Sequence, residues 1–235
     1  RAGPAAAAPG RDHRVVTAEL RRRLFAECLG TALLLAVLTA AAPVLLILSI
    51  GARLAWTYVL PNGANFVDLH VYVGGAATLA NGGALYDYVY ADQTPDFPLP
   101  FTYPPIAALL SVPLAFVPFE VAAWGWTIAQ LAADVAIVWF AWYRLRERVG
   151  VWAPVLVGVV AAGFLWTQPV GDGIRFAQVN AFLVLICLLD LQRPRHRWLA
   201  RVPPGVLVGL AMAIKLTPGV FVIHYLLGRR WAGCT

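Results

Sequence analysis

Leu24 to Ile50 reads LFAECLGTALLLAVLTAAAPVLLILSI, an apolar run broken by a single acid, Glu27. A helix needs about 20 such residues to cross the hydrocarbon core of a bilayer. The basic flank Arg21-Arg22-Arg23 is what a secretory signal would carry, but the run is too long for an h-region of about 7–15 residues. The stretch therefore predicts a first transmembrane helix whose basic end lies in the cytoplasm. The Ala/Pro/Gly-rich residues 1–23 before it read as a flexible basic cytoplasmic tail.

The rest of the chain agrees with that start. Of 235 residues, 60% are hydrophobic and 13% charged, against roughly 25% charged in soluble domains. Mean hydropathy is +0.71. An all-α, polytopic transmembrane bundle at the cell (plasma) membrane is the expected fold class, occupying residues 24–235. The net charge of +6 fits cytoplasmic loops rich in arginine and calls for no nucleic acid partner. Cys28, Cys187 and Cys234 have neither disulfide nor metal spacing, and no paired carboxylates or His/Cys cluster demands a metal. No cofactor is expected.

Residues 51–103 form the least hydrophobic long stretch, with turn signals at Pro61-Asn62-Gly63, Asn81-Gly82-Gly83 and Pro98-Leu99-Pro100. Leu69 to Ala80 reads as a short helix capped by Asp68. Pro104 to Pro118 is short and punctuated by four prolines. Were it a span, Arg144-Leu145-Arg146-Glu147-Arg148 and the Arg193–Arg201 cluster would both lie outside. The positive-inside bias favours an interfacial or re-entrant segment. Helix two is then about Glu120–Tyr143 and helix three about Val151–Thr167. Gln168–Asn180 lies outside, and helix four is about Ala181–Leu191. Gly205–Ile214 and Pro218–Leu227 read as one kinked helix or two short ones meeting at Lys215-Leu216-Thr217-Pro218.

On this topology one face gathers Asp68, His70, Tyr72, Tyr103, Arg175, Gln178, Asn180 and Lys215, so a site is expected on the extracytoplasmic side. Asp68 stands alone among Phe66, Val67 and Leu69. It could cap a helix, or serve as a general base whose pKa is raised by an apolar surrounding. Gln178 and Asn180 could cap or bridge helices, or bond sugar hydroxyls, with Arg175 on a phosphate. Lys215 between two apolar half-helices either snorkels or serves an anionic ligand. His70, Tyr72 and Tyr103 complete the substrate-binding candidates. Asp134, inside helix two, is assigned no chemistry.

Three clusters then carry a resemblance. Asp68-Leu69-His70-Val71-Tyr72, Gly82-Gly83-Ala84-Leu85-Tyr86 and Phe101-Thr102-Tyr103-Pro104-Pro105 with Pro113-Leu114 resemble the opening of glycosyltransferase family 87. Ala177-Gln178-Val179-Asn180, Gly205–Gly209 and Lys215-Leu216-Thr217-Pro218 continue it in order over about residues 20–230. The family commonly has Gly where this chain has Ala177, and its members run well past this length, so later helices and part of the donor site are expected beyond Thr235. The resemblance implies a GT-C-like bundle whose extracytoplasmic first loop carries short interfacial helices. It also implies an actinobacterial enzyme using a polyprenyl-phosphate sugar donor, most often mannose, on a glycolipid or lipoglycan acceptor among membrane lipids. Asp68 would be the base of one inverting displacement, with Arg175 or Lys215 stabilising the departing phosphate. Competing readings are an arabinofuranosyltransferase using a decaprenyl-phosphate donor, a lipid-linked-sugar transporter or flippase, and a non-catalytic assembly subunit.

Overall fold

The computed structural model describes residues 10–60, 63–193 and 199–227, by backbone alone for residues 10–22, Leu35 and Leu38. Residues 1–9, Pro61-Asn62 of the first expected turn and residues 194–198 of the second arginine cluster lie outside the described residues.

The chain folds as helices α1 (Gly10–Val59), α2 (Val67–Ala80), α3 (Pro105–Ser111), α4 (Phe119–Ala141), α5 (Tyr143–Val149), α6 (Ala153–Phe164), α7 (Gln168–Phe176), α8 (Asn180–Gln192), α9 (Val206–Ile214) and α10 (Val220–Leu227). Among the described residues, Arg23–Val59, Phe119–Ala141 and Tyr143–Phe164 are long and apolar enough to cross a membrane. The pair α7 and α8, bent by 119°, makes a fourth candidate if it counts as one broken span. Leu33, Leu34, Val37, Ile47 and Leu48 of α1 are all exposed. Water would reject that surface and lipid accepts it, as expected of a membrane protein.

Small residues let α1 and α6 approach closely. Gly158 of α6 lies against the backbone of Ala42 in α1, where an added Cβ would meet the Ala42 carbonyl oxygen at 3.2 Å. Close backbone approach at small residues is how helices associate where lipid removes the hydrophobic drive. Ser49 Oγ donates to the Ala162 carbonyl at 2.8 Å and accepts from the Trp166 indole at 2.9 Å, fastening the same pair. Farther along, Asp190 at the end of α8 accepts from the backbone amides of Gly205 and Val208, both at 3.3 Å. A carboxylate on one helix thus satisfies orphan donors at the N-terminus of the next, α9.

Several expectations change in detail. The first helix extends beyond Leu24–Ile50 at both ends, and from Gly10 onward the expected tail is helical. The arginines 144, 146 and 148 sit in α5, not in a loop. Within Gln168–Asn180, expected as an outer segment with no structure assigned, residues Gln168–Phe176 form the helix α7. Its Pro169 occupies the start of the helix, where a missing N–H costs nothing. Pro105–Ser111 is a short helix followed by a 3-10 turn, Val112–Phe116. At about 1.5 Å per residue, that unit falls well short of the roughly 30 Å core. The loop between α2 and α3 also carries a small antiparallel ladder, β1 (Val89–Tyr90) with β2 (Leu99–Pro100). It lies on α2 because Gly74 and Gly75 leave room for Tyr88 and Phe101, which would otherwise clash with a Cβ.

Candidate functional site

Asp68 does not cap α2. The helix begins one residue before it, the flanking position is Phe66 with φ 49°, and no side chain caps the turn. Phe66 is held in this left-handed conformation because both its amide and that of Asn65 donate to the Arg175 carbonyl, at 3.0 and 3.1 Å. Asp68 therefore sits in the first turn of α2, half-buried. Its neighbours Val67 and Leu69 point into the core, Leu69 fully buried against Tyr72, Ala123 and Ala177. Burial raises the Asp68 pKa above the usual carboxylate range, and the Lys215 ammonium partly opposes that rise. A carboxylate so placed is a better proton acceptor than one in water.

Five of the other candidates converge beside it. Tyr72 donates to the Tyr103 hydroxyl at 3.1 Å, with the two rings edge-to-face at 5.1 Å. Both phenols are held above their ordinary pKa by burial, and the Asp68 charge adds to each shift. Both therefore remain protonated and available as donors. Lys215 Nζ lies 5.3 Å from the Tyr103 ring and donates to Asn180 Oδ1 at 3.1 Å. Asn180 Nδ2 in turn donates to Gln178 Oε1 at 2.7 Å.

The local fold explains this convergence. Ala177 adopts φ 56°, while the Gln178 amide reaches back to the Gly173 carbonyl at 2.8 Å and the Ala177 amide to Ile174 at 3.3 Å. This double bond pattern terminates α7 and swings the chain into α8, delivering Gln178 and Asn180 to Lys215. Glycine is the residue that takes such a conformation without strain. Ala177 takes it with its methyl fully buried. At the other end, α9 stops at Lys215, whose backbone is extended (φ −152°, ψ 134°), and a 3-10 turn at Thr217–Gly219 leads into α10.

Lys215 is shared by two cavities. One, of about 520 Å³, is lined by Tyr86, Thr102, Tyr103, Pro104, Leu216 and Thr217 and offers hydroxyls. The other, of about 360 Å³, is walled chiefly by Leu183, Val184, Cys187, Pro218 and Phe221, with Asn180 at its rim. A cation at the junction of a hydroxyl-lined and an apolar cavity suits a ligand that is polar at one end, anionic in the middle and greasy at the other.

Two candidates lie elsewhere. His70 is stacked between Tyr90 (centroids 4.8 Å) and Phe119 (3.8 Å) and lines none of these cavities. Burial lowers its pKa, Asp92 opposing, which favours the neutral ring. Arg175 is exposed, lies over the Phe176 ring at 5.3 Å, and borders a separate cavity with Arg53 and Asp172. Arg53, Asp172 and Gln130 were not among the sequence candidates. Among the described residues no three His, Cys, Asp or Glu side chains are grouped closely enough to share an ion.

Comparison with known proteins gives this arrangement a context. The profile of glycosyltransferase family 87 matches residues 101–235. A polyprenol-phosphate-mannose-dependent alpha-(1-2)-phosphatidylinositol pentamannoside mannosyltransferase of Mycolicibacterium smegmatis is 52% identical over 193 residues, covering 81% of this chain and 45% of the relative. A protein of the same description from Mycobacterium tuberculosis is 48% identical over 199 residues, 82% of this chain and 43% of its own. A phosphatidylinositol mannoside mannosyltransferase of Mycobacterium tuberculosis is 34% identical over 179 residues, 69% of this chain and 40% of the relative. The chain thus spans less than half the length of the curated relatives it matches. No solved structure matches it significantly.

Proposed function

The chain belongs to glycosyltransferase family 87, and from that membership we propose that it forms the N-terminal part of a GT-C-type α-1,2-mannosyltransferase. The donor is polyprenyl-phosphate mannose and the acceptor a phosphatidylinositol mannoside or related lipoglycan. Both descriptions rest on the names of the relatives. The reaction takes place at the extracytoplasmic face of the plasma membrane, a placement supported by the arginine bias of the sequence.

The observation that carries this reading is the position of Lys215 between the hydroxyl-lined and the apolar cavity, within electrostatic reach of Asp68. In the proposed complex the prenyl chain occupies the apolar cavity, the phosphate meets the Lys215 ammonium, and the mannose faces Tyr86, Thr102 and Tyr103. Asp68 takes the proton of the acceptor hydroxyl as that oxygen attacks the anomeric carbon. The bond from the anomeric carbon to the phosphate oxygen breaks in the same displacement, with inversion, and polyprenyl phosphate leaves. Its developing negative charge is met by Lys215, a donor already oriented by Asn180 and therefore needing little reorganisation. Arg175, bordering a different cavity, has no part in this step.

The test is mannose transfer from polyprenyl-phosphate mannose to phosphatidylinositol mannosides by the full-length protein in defined liposomes. Transfer should appear with wild type and collapse with Asp68→Asn. Transfer at wild-type rate by a folded Asp68→Asn protein would remove the base from the mechanism.

A further inference from the structure

The cavity bordered by Arg175 shares no lining residue with those at Lys215. It measures about 190 Å³ and lies between Arg53 and Trp56 of α1, Trp166, and Gln168 and Asp172 of α7. Arg53 is only 9% exposed, yet its Nε is buried without a hydrogen-bond partner. Asp172 and Asp134 act on it electrostatically, but neither closes an ion pair with it among the described residues. The Trp166 ring lies 5.6 Å from the Arg53 Cζ. A guanidinium has five donors and no acceptor, and leaving the Nε donor dry is costly.

The surroundings make room for it. Gly171 faces the guanidinium so closely that a Cβ there would stand 2.6 Å from Nη2. The adjacent start of α7 is also open. Thr167, at the capping position, turns its hydroxyl back to the Phe164 carbonyl at 2.8 Å, and no side chain caps the helix. Pro169 has no N–H, so the amides of Gln168 and Val170 on either side of it carry the partial positive charge of this turn, and Thr167 and Gln168 line the cavity. Two guanidiniums and one carboxylate, Asp172, line the cavity, while Asp134 acts on Arg53 from outside that lining.

We propose that this cavity is a second anion site, distinct from the one at Lys215, that takes a phosphate group. Arg53 binds it from the buried side in the two-pronged manner guanidinium allows, Arg175 closes it from the rim, and the open turn of α7 adds backbone donors. Trp56 and Trp166, in edge-to-face contact at 6.2 Å, flank the entrance with half-exposed rings of the type that sits at lipid headgroup level. A free phosphate and a phospholipid headgroup present the same oxygens to these donors, and titration with each separates the two.

Calorimetric titration of the full-length protein in detergent, first with inorganic phosphate and separately with dihexanoylphosphatidylglycerol, tests this. Saturable binding of at least one probe is expected. Binding of the lipid alone identifies a headgroup, and binding of phosphate with equal affinity identifies the free anion. Arg53→Gln should weaken binding tenfold or more, and Gly171→Ala should weaken it by displacing the guanidinium. Arg175→Gln, at an exposed position that leaves folding intact, should weaken it several-fold. Lys215→Gln should leave it within twofold, which separates this site from the donor site and keeps the two readings independently testable. Binding of neither probe, or binding indifferent to both arginine substitutions, or binding lost with Lys215→Gln instead, overturns the proposal and leaves Arg53 as an internal counter-charge to Asp134.

Discussion

The Lys215 ammonium donates to Oδ1 of Asn180 at 3.1 Å, so the break between two half-helices is tied to the first residue of a third. Lys215 is thereby held at the wall between two cavities instead of extending toward bulk water. Lys215→Gln should raise the KM for polyprenyl-phosphate mannose by roughly 10–100-fold, the scale of a lost charged hydrogen bond. Asn180→Ala should raise it less, and the double variant should fall short of the sum because both act on one ammonium. Steady-state kinetics at varied donor, with acceptor saturating, measures all three. Strict additivity would show that Asn180 does not position Lys215.

Asp68→Asn separates activity from stability. Loss of a general base lowers rate by about 10²–10⁴-fold, and Asn keeps the shape of the side chain. Because the folded-state pKa of Asp68 is raised by burial, folding favours its protonated form. That contribution is full below the unfolded value near ~3.9 and is lost as pH rises through the raised folded value. At neutral pH the wild type carries a desolvation cost that Asn avoids. Asp68→Asn should therefore melt higher than wild type at pH 7, and the gap should shrink toward pH 4. Thermal melts in detergent across that range decide it. The acid limb of the wild-type rate profile should likewise lie above the ordinary carboxylate range.

Tyr103 joins the hydroxyl-lined cavity to the buried Tyr72. Tyr103→Phe keeps the ring under Lys215 but removes the acceptor of the Tyr72 hydroxyl, at roughly 0.5–1.5 kcal/mol of stability. Tyr103→Ala also removes the ring, and turnover should fall further than with Phe while the protein remains folded. A well-expressed Tyr103→Ala protein with wild-type transfer rates would take Tyr103 out of the site.

Sidedness is open to direct measurement. Cysteines at Arg146 in α5 and at Asp92 in the loop after α2 should label from opposite faces of intact cells, with Asp92 reached from outside. Labelling of both from outside would make Pro104–Pro118 a crossing segment after all, despite its short helix and 3-10 turn.

The long apolar helices were legible because composition alone specifies them: α4, expected at about Glu120–Tyr143, runs Phe119–Ala141. The break at Lys215 was legible too, since a lysine before Leu-Thr-Pro cannot continue an apolar helix in lipid at low cost. α7 was not. Its sequence QPVGDGIRF has Pro and two Gly in nine residues, a turn signature by propensity. The glycines serve close packing instead, Gly171 on Arg53 and Gly173 on Gln130. Asp68 was misplaced as a cap because Asp favours that position, whereas the helix start is dictated by the hold of Arg175 on Asn65 and Phe66, a contact distant in sequence. A single arginine near the end of a span, as Arg53 is, carries no sequence signal of a site. The Trp56 that follows it one turn later is a sign of an interfacial site, but a weak one. The stacking of His70 between Tyr90 and Phe119 was not legible either, because both partners are distant in sequence.

The bond from Asp190 to the amides of Gly205 and Val208 has a bearing on biosynthesis. The nine residues of α9 are too few to be taken up by the insertion machinery as a span. Two amides at their start, those of Gly205 and Val208, find their acceptor on a helix that emerges from the ribosome earlier. α9 is therefore expected to settle once α8 is seated, with Asp190 as the link between them. Asp190→Ala should leave α8 inserted, as judged by reporter sites placed before it, while exposing the residues of α9 to proteolysis. Assembly of this end of the molecule then follows the order of translation, with each half-helix waiting for the one made before it.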